Sequence, residues 1–173
     1  MGEYNMMITE FPPGYRFMPT DVELIEHYLT KKVHCQLPFS SLSPLFQHID
    51  ANEFYNISPD NLVKNMCVDG GEQYFFIHGD KYFGGERGKS RVVGNGIGYW
   101  RCLGEEISIY NSEGDVIGLR VNLKYFSESS SKNNWTMQKY RLTCEYDTSD
   151  TEIEEWILGR ITKGKRNDYS NYF

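Results

Sequence analysis

The segment GYWRCLGEE at 98–106 sets a tyrosine, a tryptophan and an arginine on a run of strand-forming residues and closes it with two glutamates. Tyr99 and Trp100 offer flat apolar faces. Arg101 offers a planar cation whose donors suit phosphate oxygens and guanine edges. Upstream, KYFGGERGKSR supplies Lys81, Arg87, Lys89 and Arg91; downstream stand Arg120, Lys124 and Lys132. Cations on the strands and loops of one sheet, interleaved with aromatics, are what a β-ribbon needs to grip a polyanion in a groove. In isolation the same charges form an ordinary solvated face. Between the two basic blocks, residues 102–115 hold Glu105, Glu106, Glu113 and Asp115 and no Lys or Arg. The net charge of −6 therefore averages over segregated blocks, and it is local potential that steers a ligand.

Other chemistries find little support. Cys35, Cys67, Cys102 and Cys144 form no CxxC pair, so neither a zinc ribbon nor a redox motif is indicated, and reduced thiols are expected. His34 with Cys35, and His78 with Asp80, lack a third ligand at sensible spacing, so no metal and no cofactor is expected. GNGIG at 94–98 is glycine-rich but precedes a strand-like run, whereas a phosphate cradle needs a helix N-terminus there. No nucleophile context such as G-x-S-x-G occurs, so the chain is not expected to be an enzyme or to take a small-molecule substrate. The N-terminal MGEYNMMITE lacks the apolar core of a secretory signal, and the proline-broken run around 33–49 is too polar for a membrane span. Neither a membrane partner nor an extracellular location is expected.

The elements that must position the basic and aromatic residues change character along the chain. Thr20 and Glu23 form a T-x-x-E capping box, and Leu24, Ile25, Tyr28 and Leu29 then make an apolar stripe, closed by Lys31 and Lys32. This predicts a helix from about residue 20 to 33. Residues 34–57 read as irregular, with a short strand near Ile49. Ser58 as cap and Pro59 at the first helical position predict a short helix over SPDNLVKNM. Beyond residue 72, EQYFFIHG, GYWRCLG, EISIY, VIGLRVNLKYF, WTMQKYRL and EWILGRI read as strands, with YNSEGD as a hairpin loop and FSESSSKNN as a polar loop. Helices first and an antiparallel sheet after them make one α+β domain.

The stretch FPPGYRFMPTDVELIEHYL closely resembles the opening motif of the plant NAC domain, usually L-P-P-G-F-R-F-H-P-T-D-E-E-L-x-x-x-Y-L. The resemblance continues in family order through EQYFF, GYWRCLG, VIGLRVNLKYF, NWTMQKYRL and WILGRITK, from residue 11 to about 163. It implies a twisted antiparallel sheet flanked by a few helices, serving as a dimeric, sequence-specific DNA-binding domain of a nuclear transcription regulator. The implied organisation is a flexible N-terminus at 1–10, a DNA-binding and dimerisation domain at 11–163 and a tail at 164–173. The expected dimer interface uses Phe11, Pro12, Pro13 and Gly14, with Arg16 and Glu23 matching the pair that bridges two copies in the family. The resemblance thereby implies a second role for Glu23, which competes with capping for the one carboxylate. The expected DNA-facing set is Arg87, Lys89, Arg91, Tyr99, Trp100, Arg101, Arg120, Lys124 and Lys132, with Trp100 positioning the strand, Arg101 reaching groove or phosphate, and double-stranded DNA as partner. The expected dimer partner is a second copy or another NAC protein.

The reading strand departs from the family's W-K-A-T-G-x-D-K. Arg101 keeps the charge of the lysine, but Cys102 and Leu103 replace alanine and threonine, and Glu105, Glu106 and Ile107 replace a variable residue, an aspartate and a lysine. Of a lysine pair further on, Arg120 keeps the first charge and Val121 loses the second. A carboxylate ~4 Å from a phosphate costs between ~1 and ~4 kcal/mol, depending on the effective dielectric. Strand alternation would point Glu105 and Glu106 to opposite faces, leaving at most one toward DNA. Two readings follow: a DNA-reading regulator, or a dimerising regulator with weakened or absent DNA binding that modulates partner NAC proteins.

Overall fold

A computed structural model describes residues 17–34, 45–63, 72–80, 90–93, 98–127, 134–143 and 156–164, with the backbone alone at 90–93. The first helix starts where its capping box sits. Glu23 N–H donates to Thr20 Oγ1 (3.2 Å) and Thr20 N–H donates to Glu23 Oε2 (3.3 Å). One turn of α1 (Asp21–Glu23) runs directly into a π-helical stretch (Leu24–Leu29) and then α2 (Thr30–Val33). The i→i+5 register of the middle stretch brings residues five apart onto one face, and Leu24, Ile25 and Leu29 are all buried. The periodicity gives the helix and its buried side; its wide register is a structural finding.

Strand β1 (Phe46–Asp50) follows, with Asp50 Oδ1 accepting from Asn52 N–H (2.8 Å) to cap α3 (Ala51–Asn56). That helix lies in the stretch that reads as irregular, because only its cap and two aromatics mark it. Helix α4 (Pro59–Val63) starts where Ser58 and Pro59 place it. The remaining strands are β2 (Glu72–His78), β3 (Ser90–Val93), β4 (Gly98–Cys102), β5 (Ile107–Tyr110), β6 (Val116–Phe126), β7 (Trp135–Leu142) and β8 (Trp156–Lys163). They form one sheet in the order β1-β2-β8-β7-β6-β4-β3, with β5 also paired to β6. β1 runs parallel to β2 and every other pairing is antiparallel, so the sheet is mixed at one edge. The β5–β6 hairpin turns where YNSEGD predicts it: Asn111 Oδ1 accepts from the backbone of Glu113 and Asp115, and Gly114 takes φ +86°, a conformation glycine adopts without strain.

The register fixes what each face carries. On one face Phe54, Tyr55 and Leu62 pack with Phe75, Ile77, Trp100, Leu123, Tyr125, Trp135, Met137 and Ile161. The other face is divided. Leu24, Ile25, Leu29 and Val33 cover Phe46, Tyr74, Phe76, Ile109, Tyr140 and Leu158. Its remaining part turns polar, through cross-strand rows that decide the site.

Candidate nucleic-acid interface

Three successive rows cross this second face. The first, Phe76–Leu158–Tyr140–Arg120–Ile107, starts apolar under the helix. The next is Tyr74–Arg160–Gln138–Asn122. The last is Glu72–Thr162–Thr136–Lys124–Arg101. Beyond it Tyr99 and Phe126 are cross-strand partners, their rings stacked with centroids 5.4 Å apart, a spacing favourable for an aromatic pair.

At this far end β4, paired between β6 and β3, alternates inward and outward residues. Gly98 and Trp100 point inward and are buried, while Tyr99 and Arg101 point outward and are exposed. Trp100 is wholly enclosed against Tyr125 (centroids 5.2 Å), so it supports the strand from beneath. Gly98 is required for the approach of β6: a Cβ there would meet the Tyr125 hydroxyl and lie 2.8 Å from the Phe126 carbonyl oxygen. Arg101 and Lys124 stand directly opposite each other. Like charges facing across a ladder cost ~0.2–1 kcal/mol, and neither cation has an acidic partner among the described residues. Lys124 Nζ sits 5.6 Å from the Phe126 ring centroid. Two aromatic faces beside two facing cations make a concentrated anion-attracting patch.

The other expected residues are distributed differently. Arg120 lies on the same face, toward the helix, where it pairs with Asp21. Asp21 also accepts from the Tyr140 hydroxyl (2.6 Å) and lies 3.6 Å from Arg160, which itself bonds Gln138. Burial first, and the bond to Asp21 second, hold the Tyr140 hydroxyl well above the ordinary phenol range. Arg120 is thus tied into the joint between helix and sheet. Arg91 sits on β3 opposite Trp100 in backbone register. Arg87, Lys89 and Lys132 lie outside the described residues, as do Phe11, Pro12, Pro13, Gly14 and Arg16 of the expected dimer interface. Glu23 is described, and its carboxylate is engaged by the Thr20 amide.

The two glutamates are not on a strand. β4 ends at Cys102, and Glu105 and Glu106 occupy the connection before β5, so strand alternation does not set their directions. Glu106 reaches Arg141 (3.6 Å). Arg141 alternates with Tyr140 and shares the face of Met137 and Lys139, opposite to the face of Lys124 and Arg101. Burial raises the Cys102 thiol pKa. Among the described residues no group of three or more His, Cys, Asp or Glu converges to hold a metal, and no helix is long and apolar enough to cross a membrane.

The No apical meristem (NAM) protein family model matches residues 12–142. The chain is 32% identical over 161 residues to NAC domain-containing protein 46 of Arabidopsis thaliana, covering 89% of this chain and 45% of that protein. It is 35% identical over 158 residues to NAC domain-containing protein JA2 of Solanum lycopersicum (88% and 42%) and 34% identical over 170 residues to NAC domain-containing protein 83 of Arabidopsis thaliana (95% and 62%). The chain therefore spans less than two thirds of the length of these relatives. With the family match running through both the capped helix and the aromatic–basic strand, the chain belongs to the NAC-domain family of plant transcription regulators.

Proposed function

We propose that the chain is a sequence-specific DNA-binding module of a nuclear transcription regulator, acting as a dimer and presenting β4 to the major groove of double-stranded DNA. The observation that carries this reading is the outward quartet at the far end of the sheet: Tyr99 stacked on Phe126, and Arg101 directly across from Lys124. The outward arginine suits a guanine edge, and its facing lysine suits a phosphate. Trp100 and Gly98 set the strand at close range to β6 and so hold the two outward side chains at a fixed spacing. The expected contacts from Arg87, Lys89, Arg91 and Lys132 extend the basic surface along the DNA backbone. Dimerisation through Phe11, Pro12, Pro13, Gly14, Arg16 and Glu23 would place two such strands on one duplex. Glu106, held by Arg141 on the opposite face, does not neutralise the quartet, which favours DNA reading over a purely dimerising role.

The test is fluorescence anisotropy with a duplex selected from a randomised pool and with its scrambled counterpart, across a salt series. Wild-type chain is expected to prefer the selected duplex, and Arg101→Ala to lose ~1–3 kcal/mol of that preference. Lys124→Ala is expected to weaken both duplexes alike and to reduce the salt slope by about 0.9. Equal affinity of wild type for the two duplexes would overturn the proposal.

A further inference from the structure

Beneath the sheet, on the face away from the quartet, lies a buried ionic cluster. Lys139 of β7 is 1% exposed, and its Nζ donates to Asp80 Oδ2 (3.0 Å) and to the Tyr55 hydroxyl (3.1 Å). The Tyr55 hydroxyl in turn donates to Asp80 Oδ2 (2.6 Å). The three residues come from three separate places: α3, the chain just after β2, and the middle of β7. Tyr55 shares the apolar cluster of Trp100, Leu123 and Tyr125, with Cys102 packed against it. Lys139 lies one row from the row Met137–Leu123–Cys102, and Lys139 and Asp80 both act electrostatically on the Cys102 thiol. The cluster therefore stands under the end of β4.

Two features make this arrangement bear on how β4 is aimed. Replacing a buried ion pair by apolar residues of similar volume is often neutral or stabilising, so such a pair is a poor device for stability alone. A fully bonded polar cluster does impose direction, which apolar contact does not. Among the described residues the inner face of β4 shows no directional side-chain bond at its tryptophan: Trp100 Nε1 is buried and has no hydrogen-bond partner there. Its register is kept by the backbone ladder and by packing against neighbours that the cluster fixes.

We propose that Lys139, Asp80 and Tyr55 are positioning residues for the reading strand, clamping α3, the end of β2 and β7 so that Tyr99 and Arg101 leave the sheet at one fixed angle. This deepens the DNA-binding reading and rests on it. The experiment compares the full chain with the triple variant Lys139→Met, Asp80→Leu, Tyr55→Phe. It measures thermal midpoint, hydrogen exchange of the β4 amides without DNA, and anisotropy with the selected and scrambled duplexes. The expected result is a retained midpoint, faster β4 exchange and a selected-to-scrambled preference reduced about tenfold, a coupling of the size found within one polar network. The salt slope should stay unchanged, because no phosphate contact is removed. A folded triple variant with wild-type β4 exchange and wild-type preference overturns the proposal. If the triple variant does not fold, Tyr55→Phe alone is the variant to score, with the same two readouts moving in the same direction by a smaller factor; no movement in either overturns it. Failure of the DNA-binding reading shows separately, as equal wild-type affinity for both duplexes, and β4 exchange in the DNA-free chain still decides whether the cluster holds the strand.

Discussion

Asp21 joins the first helix to the sheet, and its removal tests how that joint is made. The carboxylate accepts from the Tyr140 hydroxyl at 2.6 Å and serves two cations, Arg120 and Arg160. The side chains of Asp21, Arg120 and Arg160 are 27%, 21% and 15% exposed, between a surface pair and a buried one. Breaking one side of a fully buried pair costs ~3–5 kcal/mol, while an exposed pair contributes ~0–1 kcal/mol. The intermediate exposure here points to ~2–3 kcal/mol for Asp21→Ala, including its favourable place at the helix N-terminus. At ~2–4 °C per kcal/mol for a chain of this size, the thermal midpoint should fall by ~4–12 °C. Asp21→Asn keeps an acceptor for Tyr140 but loses the charge, so about half that loss is expected. Scanning calorimetry of the wild type and both variants, with Arg120→Met as the partner in a double-mutant cycle, measures the coupling. A loss below ~0.5 kcal/mol for Asp21→Ala, the level of an ordinary surface change, would refute the view that this joint carries the helix.

Gly98→Ala should destabilise the chain by ~1–3 kcal/mol, since the added methyl meets the Tyr125 hydroxyl and the Phe126 carbonyl with no free space between β4 and β6; unchanged thermal and DNA-binding behaviour would show that the strands do not need that approach. His48 supplies a pH dependence. Burial first and the Lys32 cation second lower its pKa from 6.5, so the folded state favours the neutral ring. Its contribution is fully present above pH 6.5 and is lost as the pH falls through the lowered folded value, and His48→Gln should flatten that part of a stability–pH curve measured by denaturant melts. The His48 ring also meets Trp156, over which Lys32 Nζ lies at 4.3 Å, so protonation adds a second cation to a site that already holds one.

The parts of the fold that the sequence makes legible are those written in local chemistry. Thr20 and Glu23 mark the helix start because the reciprocal bonds need only those two side chains three residues apart. The Asn111–Asp115 turn is legible because Asn111 and Gly114 supply an acceptor and a left-handed conformation within five residues. Helix α3 is not legible, because its six residues follow directly on a strand and only the Asp50 cap and two aromatics announce them. The parallel pairing of β1 with β2 is a long-range choice that no local pattern encodes. At the candidate site, the outward direction of Tyr99 and Arg101 follows from period-two alternation once β4 is placed. The pairing of Arg101 with Lys124 depends on the β4–β6 register, and that of Arg120 with Asp21 depends on where the helix docks. Lys139 escapes notice altogether, since a lysine on a strand reads as solvent-facing. Only its partners, fifty-nine and eighty-four positions away in sequence, reveal it as buried.

The acidic stretch after β4 changes meaning once the end of that strand is located. On a continuous strand, Glu105 and Glu106 would alternate, and one would stand beside the quartet. The strand instead ends at Cys102, and Gly104 turns the chain with φ +91° before the glutamates. Glu106 then spends its charge on Arg141, a half-exposed pair on the opposite face that contributes ~0–1 kcal/mol to stability. Its larger consequence is directional: a carboxylate held there is separated by the sheet from Arg101 and Lys124. Charge reversal at Glu106 should accordingly change DNA affinity far less than loss of Arg101, because one acts through the long-range field, which salt screens within about 8–10 Å, and the other at the proposed contact itself.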